Sequence, residues 1–235
     1  FSDAGSSAIA TANLLLSEGV PHDNITMCDS RGVIHDGRTD LNEFKKDFAL
    51  NTESRTLEDA MKEADIFIGM SVANAVTQDM LLTMAPNPIV FALANPDPEI
   101  KYSDAMRTRN DVIVATGRSD NPNQVNNVLG FPFIFKGALA VNASEINPEM
   151  KKAASSAIAA IAKEPVLKVV LDAYGLEDMS YGKYYVIPKP MDPRLVCVAK
   201  AVADAAIQTG VGAKTEKYAE LCDECNTLQE RYGND

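Results

Sequence analysis

Histidine and cysteine are scarce in these 235 residues, at two and four, and acidic side chains outnumber basic ones 33 to 22. So little histidine removes the usual zinc sets. Cys222-Asp-Glu-Cys225 is a lone C-x-x-C pair, and His22 and His35 lie far from it in sequence. Cys28, Cys197, Cys222 and Cys225 are too scattered for a disulfide framework, so Cys222 and Cys225 are expected to be reduced thiols one helical turn apart. The net charge of −11 excludes unaided binding to nucleic acid or to an acidic membrane, since both need clustered Lys and Arg. No apolar run approaches the roughly 20 residues of a membrane span, and no secretion signal is recognisable. The cytoplasm is the expected location. There is no repeat, no nucleophile elbow, no H-x-x-x-H and no paired-carboxylate motif. Both histidines sit in polar loops and are expected to be solvated surface. No catalytic residue and no metal ligand is assigned within this chain.

What is present is an ordinary globular composition, 46% hydrophobic and 23% charged, with enough apolar material for a substantial core. Short, continuous, β-branched runs alternate with helical patterns. The runs are Ile25–Cys28, Ile66–Ile68, Ile89–Leu93 and Val112–Ala115. Helices are expected at Ser7–Glu18, Thr56–Ala64 (with Thr56-Leu-Glu-Asp59 as a capping box), Thr77–Met84 and Ser103–Arg109. This is how buried parallel strands read when helices cover both faces of the sheet. Right-handed crossovers then give an α/β, doubly wound, mostly parallel Rossmann-like sheet.

From Asn126 the pattern turns helical, at about Asn127–Leu139, Pro148–Lys163 and Pro193–Gly210, with a polar helical tail from Lys214 to Tyr232. Tyr181–Pro188 reads as an extended segment. Phe1-Ser-Asp-Ala-Gly-Ser-Ser-Ala8 looks like the turn between a first strand and its helix, with only two residues of strand before it. The parent protein is therefore expected to extend upstream.

Four features point to a nucleotide. Asp3-x-Gly5-x-x-Ala8 approximates the phosphate-binding fingerprint. Gly5 would let the backbone approach a pyrophosphate, Ala8 would let the helix pack closely, and the amides of Ser6, Ser7 and Ala8 would attract an anion. Asp3 departs from the pattern, because a carboxylate there opposes a phosphate, and the bare alternative is an ordinary strand–helix turn. Asp29 closes the second predicted strand 24 residues after Gly5, near the ~20 expected for an acid on an adenosine ribose; the alternative is a solvated loop acid. Ser71, Asn95 and Thr116-Gly117 end successive strands on the edge where open α/β sheets bind ligands. The amide-rich segment Ala115–Val128 runs into an apolar helix, making Asn126 and Asn127 candidate N-terminal-turn donors.

Taken in order, Ala4–Ile9, Met27–Ile34, Phe91–Pro96, Ala115–Asp120, Pro122–Pro132 and Ile187–Arg194 resemble malic enzymes, the shorter bacterial-type branch most of all. The resemblance runs from about Ala4 to Gly212. It implies an NAD(P)-binding domain over residues 1–212, followed by a polar helical tail over 213–235.

The resemblance also implies oxidative decarboxylation of malate to pyruvate and carbon dioxide with NAD or NADP, by a homodimer or larger homo-oligomer. Gly5 to Ala8 would hold the pyrophosphate, Asp29 with Ser30 the ribose, and Ser71 and Val72 the cofactor groove. Asn95 and Asn127 would serve both nicotinamide and malate carboxylate, with Asn126 close by. The family's base lysine, acid tyrosine and the acidic ligands of its divalent metal (Mg or Mn) fall upstream of Phe1. On this reading the chain alone is inactive. Asp29 favours a free 2′-hydroxyl, while Arg31, Lys45 and Lys46 are available to a 2′-phosphate, so NAD and NADP both stay open. Two other readings remain at this point: an amino-acid or methylene-tetrahydrofolate dehydrogenase of the same fold, and a non-catalytic nucleotide-sensing domain.

Overall fold

A computed structural model describes residues 1–232, which fall into two compact units, Phe1–Val125 and the helical region from Asn126 onward.

The first unit begins with an extended Phe1–Ser2 and helix α1 (Ser6–Ser17). Ala8 and Ala12 are fully buried on one stripe of α1, with Ile9, Leu15 and Leu16 packed beside them. Strand β1 (Cys28–Asp29) turns back antiparallel into β2 (Gly32–Val33). Short helices α2 (Glu43–Lys46) and α3 (Leu57–Met61) follow, the latter opened by the expected Thr56/Asp59 capping box. Next come β3 (Ile66–Gly69), α4 (Gln78–Leu82), β4 (Ile89–Ala92), α5 (Tyr102–Thr108) and β5 (Ile113–Thr116). The sheet order is β3-β4-β5, all parallel, with Ile66, Ile89 and Ile113 in register.

Backbone bonds extend this sheet. Phe1 N donates to Thr26 O at 2.8 Å, Cys28 N to Phe1 O at 2.9 Å, and Ser2 N to Ile68 O at 3.0 Å. That is a parallel ladder. Residues 26–28 lie on one side of Phe1–Ser2 and β3 lies on the other. The sheet therefore grows outward in both directions from Phe1–Ser2, and the carboxyl ends at that point form the crevice typical of doubly wound sheets.

The second unit is made of helices α6 (Phe131–Ala140), α7 (Pro148–Lys163), α8 (Lys168–Tyr174), α9 (Val196–Gln208) and α10 (Glu216–Tyr232). Helix α9 is its centre. Val198, Ala199, Val202, Ala203 and Ala206 are all fully buried, and they recur at the three- and four-residue spacing of one helical face. Gly137 of α6 lets the backbones close together: a Cβ there would sit 2.3 Å from the Ala199 carbonyl oxygen.

Three expectations are corrected here. Cys225 is not a free thiol beside Cys222. It is disulfide-bonded to Cys197, so α10 is tied to α9, while Cys222 and Cys28 are free. Cys225 lies on the buried stripe of α10 with Leu221, facing α9, which is why its partner comes from another helix and not from its own C-x-x-C. The helix expected over Asn127–Leu139 is broken at Gly130 into a single 3₁₀ turn (Asn127–Leu129) and α6. Tyr181–Pro188 is a tight turn closed by mutual Gly182–Tyr185 backbone bonds, with Tyr185 fully buried, and not an extended run.

Candidate functional site

The crevice starts at the α1 N-terminus. Gly5 is the N-cap, and no side chain caps the helix. The first helical bond runs from Ile9 N to Gly5 O at 3.0 Å, so the amides of Ser6, Ser7 and Ala8 have no carbonyl partner among the described residues. Ser6 and Ser7 are exposed and Ala8 is buried against the core. Open amides at the positive end of a helix form a ready anion site. Asp3 opposes it, because its carboxylate leans over the turn: a Cβ on Gly5 would meet Asp3 Oδ2 at 2.8 Å.

At the far end of the hairpin, Asp29 is no solvated loop acid. Its carboxylate receives both terminal nitrogens of Arg38 at 2.8 and 3.1 Å, Lys45 Nζ at 2.7 Å and the Arg31 amide at 3.0 Å. Burial works against its charge, yet these four donors together hold the carboxyl well below the usual carboxylate range. Arg38 also binds Asp40, as does Arg31, whose side chain is 71% exposed. Of the three cations read from the sequence, Lys45 reaches Asp29 directly and Arg31 reaches it only through its amide. The main partner, Arg38, was missed; it sits in a polar loop nine residues on, and its convergence on Asp29 depends on the β1–β2 hairpin. Ser30 is exposed beside Asp29.

The strand ends converge as expected for Ser71 and Asn95, through a residue that the sequence did not single out. Glu99, fully buried, accepts Ser71 N at 2.8 Å and Ala94 N at 3.0 Å. Ser71 Oγ lies 3.0 Å from Ser2 Oγ. Val72 and Asn95 project from these two fixed points into solvent, and the Asn95–Pro96 peptide is cis. Thr116 is buried and its hydroxyl accepts the Arg118 amide and Asn121 Nδ2, so it shapes its own loop, with Gly117 exposed beside it. In the second unit, Asn126 is the cap of the 3₁₀ turn, its side-chain oxygen accepting Val128 N at 3.1 Å. Asn126 and Asn127 are both exposed.

The histidines are not simply solvated. His22 Nε2 donates to the Asp47 carbonyl at 2.6 Å and its ring stacks on Phe48. That carbonyl, then the Asp23 carboxylate, raise its pKa. His35 Nδ1 accepts the Gly37 amide at 3.2 Å. Among the described residues no three His, Cys, Asp or Glu side chains converge as a metal would need, and no helix is long and apolar enough to cross a membrane.

Comparison with known proteins gives a consistent picture. Residues 3–171 match the family model "Malic enzyme, NAD binding domain". The chain is 53% identical over 212 residues to an NADP-dependent malic enzyme of Halomonas elongata, covering 90% of this chain and 50% of that protein. It is 54% identical over 216 residues to an NADP-dependent malic enzyme of Haemophilus influenzae, covering 91% and 29% respectively. An NAD-dependent malic enzyme of Rhizobium meliloti is 45% identical over 215 residues, 91% of this chain and 28% of that protein. Among solved structures, the malic enzyme of Entamoeba histolytica superposes with a TM-score of 0.80 at 32% identity, over 97% of this chain and 47% of that one. The chain thus spans half or less of the length of these relatives.

Proposed function

The chain belongs to the malic enzyme family, matching its NAD-binding domain model, and from that premise we propose that it supplies the dinucleotide-binding part of an NAD(P)-dependent enzyme that oxidatively decarboxylates malate to pyruvate and carbon dioxide. Family membership displaces the amino-acid and methylene-tetrahydrofolate dehydrogenase alternatives. The observation that carries the reading is the open α1 N-terminus beside the crevice at Ser2 and Ser71, the switch point of a doubly wound sheet.

The residues present fit a dinucleotide. The amides of Ser6, Ser7 and Ala8 would hold the pyrophosphate beside Gly5, with the Asp3 carboxylate that leans over the turn displaced on binding. Ser71 and Val72 would line the groove. A bound nicotinamide supplies the acceptor for the hydride leaving C2 of malate. Asn95 would hold a carboxylate or carboxamide group through its neutral amide; Asn126 and Asn127, exposed at the 3₁₀ turn of the second unit, offer amides of the same kind. A divalent cation does not fit the described residues, which assemble no donor set for it.

The adenosine end supports NADP over NAD. An acid at this position favours a free ribose diol when its charge is unopposed. Here three cations, Arg31, Arg38 and Lys45, stand against two carboxylates, Asp29 and Asp40, so a 2′-phosphate would meet a small net positive charge in this cluster.

The test compares two preparations. Titrated with NADPH and followed by nicotinamide fluorescence, this chain is expected to bind the cofactor but to show no malate-dependent reduction. The complete protein is expected to show both. Cofactor binding without turnover in the complete protein would leave a nucleotide-sensing domain as the better reading. Steady turnover by this chain alone would show that the catalytic groups lie within residues 1–235.

A further inference from the structure

Among the described residues Glu99 has no cationic partner. Its contacts are the Ser71 and Ala94 amides and the Ser71 hydroxyl at 3.3 Å, and it is fully buried. Two main-chain amides and a hydroxyl converge on this one buried side chain, so it fixes their positions as they fix its own. The space is shaped for it. A Cβ at Gly69 would stand 2.4 to 2.7 Å from the carboxyl atoms, so the acid occupies the room that the missing side chain leaves. The backbone continues the clamp: Leu93 N donates to Gly69 O, Asn74 N to Pro98 O, and Val76 N to Glu99 O, at 3.0 to 3.1 Å. The loops after β3 and β4 are thereby zipped into one body.

The consequence concerns register. Ser71 begins the loop that carries Val72, Ala94 precedes Asn95, and the Ser71 hydroxyl reaches Ser2, which leads into Asp3 and Gly5. One carboxylate therefore ties together the two strand ends and, through Ser71, the turn at the first strand.

We propose that Glu99 is a positioning residue that sets the spacing between the cofactor groove at Ser71 and the substrate-facing amide of Asn95. The inference rests on the dinucleotide-site reading above, and it predicts that Glu99 acts on chemistry through Asn95. In the complete enzyme, Glu99→Gln turns an NH2 toward one of the two backbone amides, so one acceptor is lost. The expected result is a fall in kcat of about tenfold or more, with a smaller change in NADPH affinity.

A double-mutant cycle with Asn95→Ala separates positioning from general loosening. If Glu99 works through Asn95, Glu99→Gln costs less than about threefold further once Asn95 is gone; two independent effects would multiply. Ser71→Ala keeps the backbone amide and removes only the hydroxyl link. It serves if Glu99→Gln fails to fold, and is expected to give a smaller fall in kcat, again largely absorbed in the Asn95→Ala background. Unchanged kcat in a folded Glu99→Gln or Ser71→Ala enzyme, or a multiplicative cycle, overturns the proposal. Absence of turnover in the unmutated complete protein overturns the underlying reading instead.

Discussion

The first unit is organised by charge and backbone capping, the second by the removal of side-chain volume. In the first, Asp29, Arg38, Lys45 and Asp40 form a cluster at the hairpin, and Glu99 collects amides from two strand ends. In the second, alanines on α9 and Gly137 on α6 bring helices to close contact, and Cys197–Cys225 ties α10 to α9. The difference teaches which substitutions each tolerates. Ligand recognition, proposed for the first unit, is expected to be sensitive to polarity at constant size, and stability in the second to size at constant polarity.

The largest test is reduction of the disulfide. A cross-link closing a loop of this length typically contributes about 2–4 kcal/mol. Treatment with a dithiol reductant is expected to lower the denaturation midpoint and to speed hydrogen exchange in α9 and α10, leaving NADPH affinity where it was. A matching loss of cofactor affinity in the still-folded reduced protein would break the contrast.

Next comes Arg38→Ala. Losing a charge-assisted contact costs about 1.5–3 kcal/mol, so NADP binding is expected to weaken roughly ten- to a hundred-fold and NAD binding much less. Asp29→Ala is expected to push the ratio the other way, since it releases Arg38 and Lys45 from their counterion. Equal effects on both cofactors would mean that the cluster only braces the hairpin.

The smallest is Gly137→Ala. Its Cβ would lie 2.3 Å from the Ala199 carbonyl oxygen and 2.9 Å from Val202 Cβ, and overpacking of this kind costs about 1–3 kcal/mol. A urea midpoint equal to that of the unmutated protein would show that α6 and α9 separate freely and that volume does not govern this unit.

How legible each feature was from sequence follows the same division. Strands at Ile66, Ile89 and Ile113 were plain, because a continuous β-branched run between helices has few other readings. Helix Pro148–Lys163 was read to its ends, since Asn147 caps it and Pro148 suits its first turn. Gly5, Ser71 and Asn95 could be placed at strand and helix ends from sequence because such ends are local features. Arg38 and Glu99 were not, although they make the defining contacts. Each looked like an ordinary polar loop residue, and only the folding of distant backbone around them gives them partners. Cys197–Cys225 was missed for a similar reason: four scattered cysteines read as reduced thiols, and only the packing of α10 on α9 brings Cys225 beside Cys197.

Gly69 and Glu99 stand thirty positions apart, yet they share one small volume. Any side chain at 69 would have to be met by a shorter residue, or none, at 99. Neither site can drift alone. Across homologues the two are expected to be inherited as a pair, and a lineage that changes one is expected to carry a compensating change at the other.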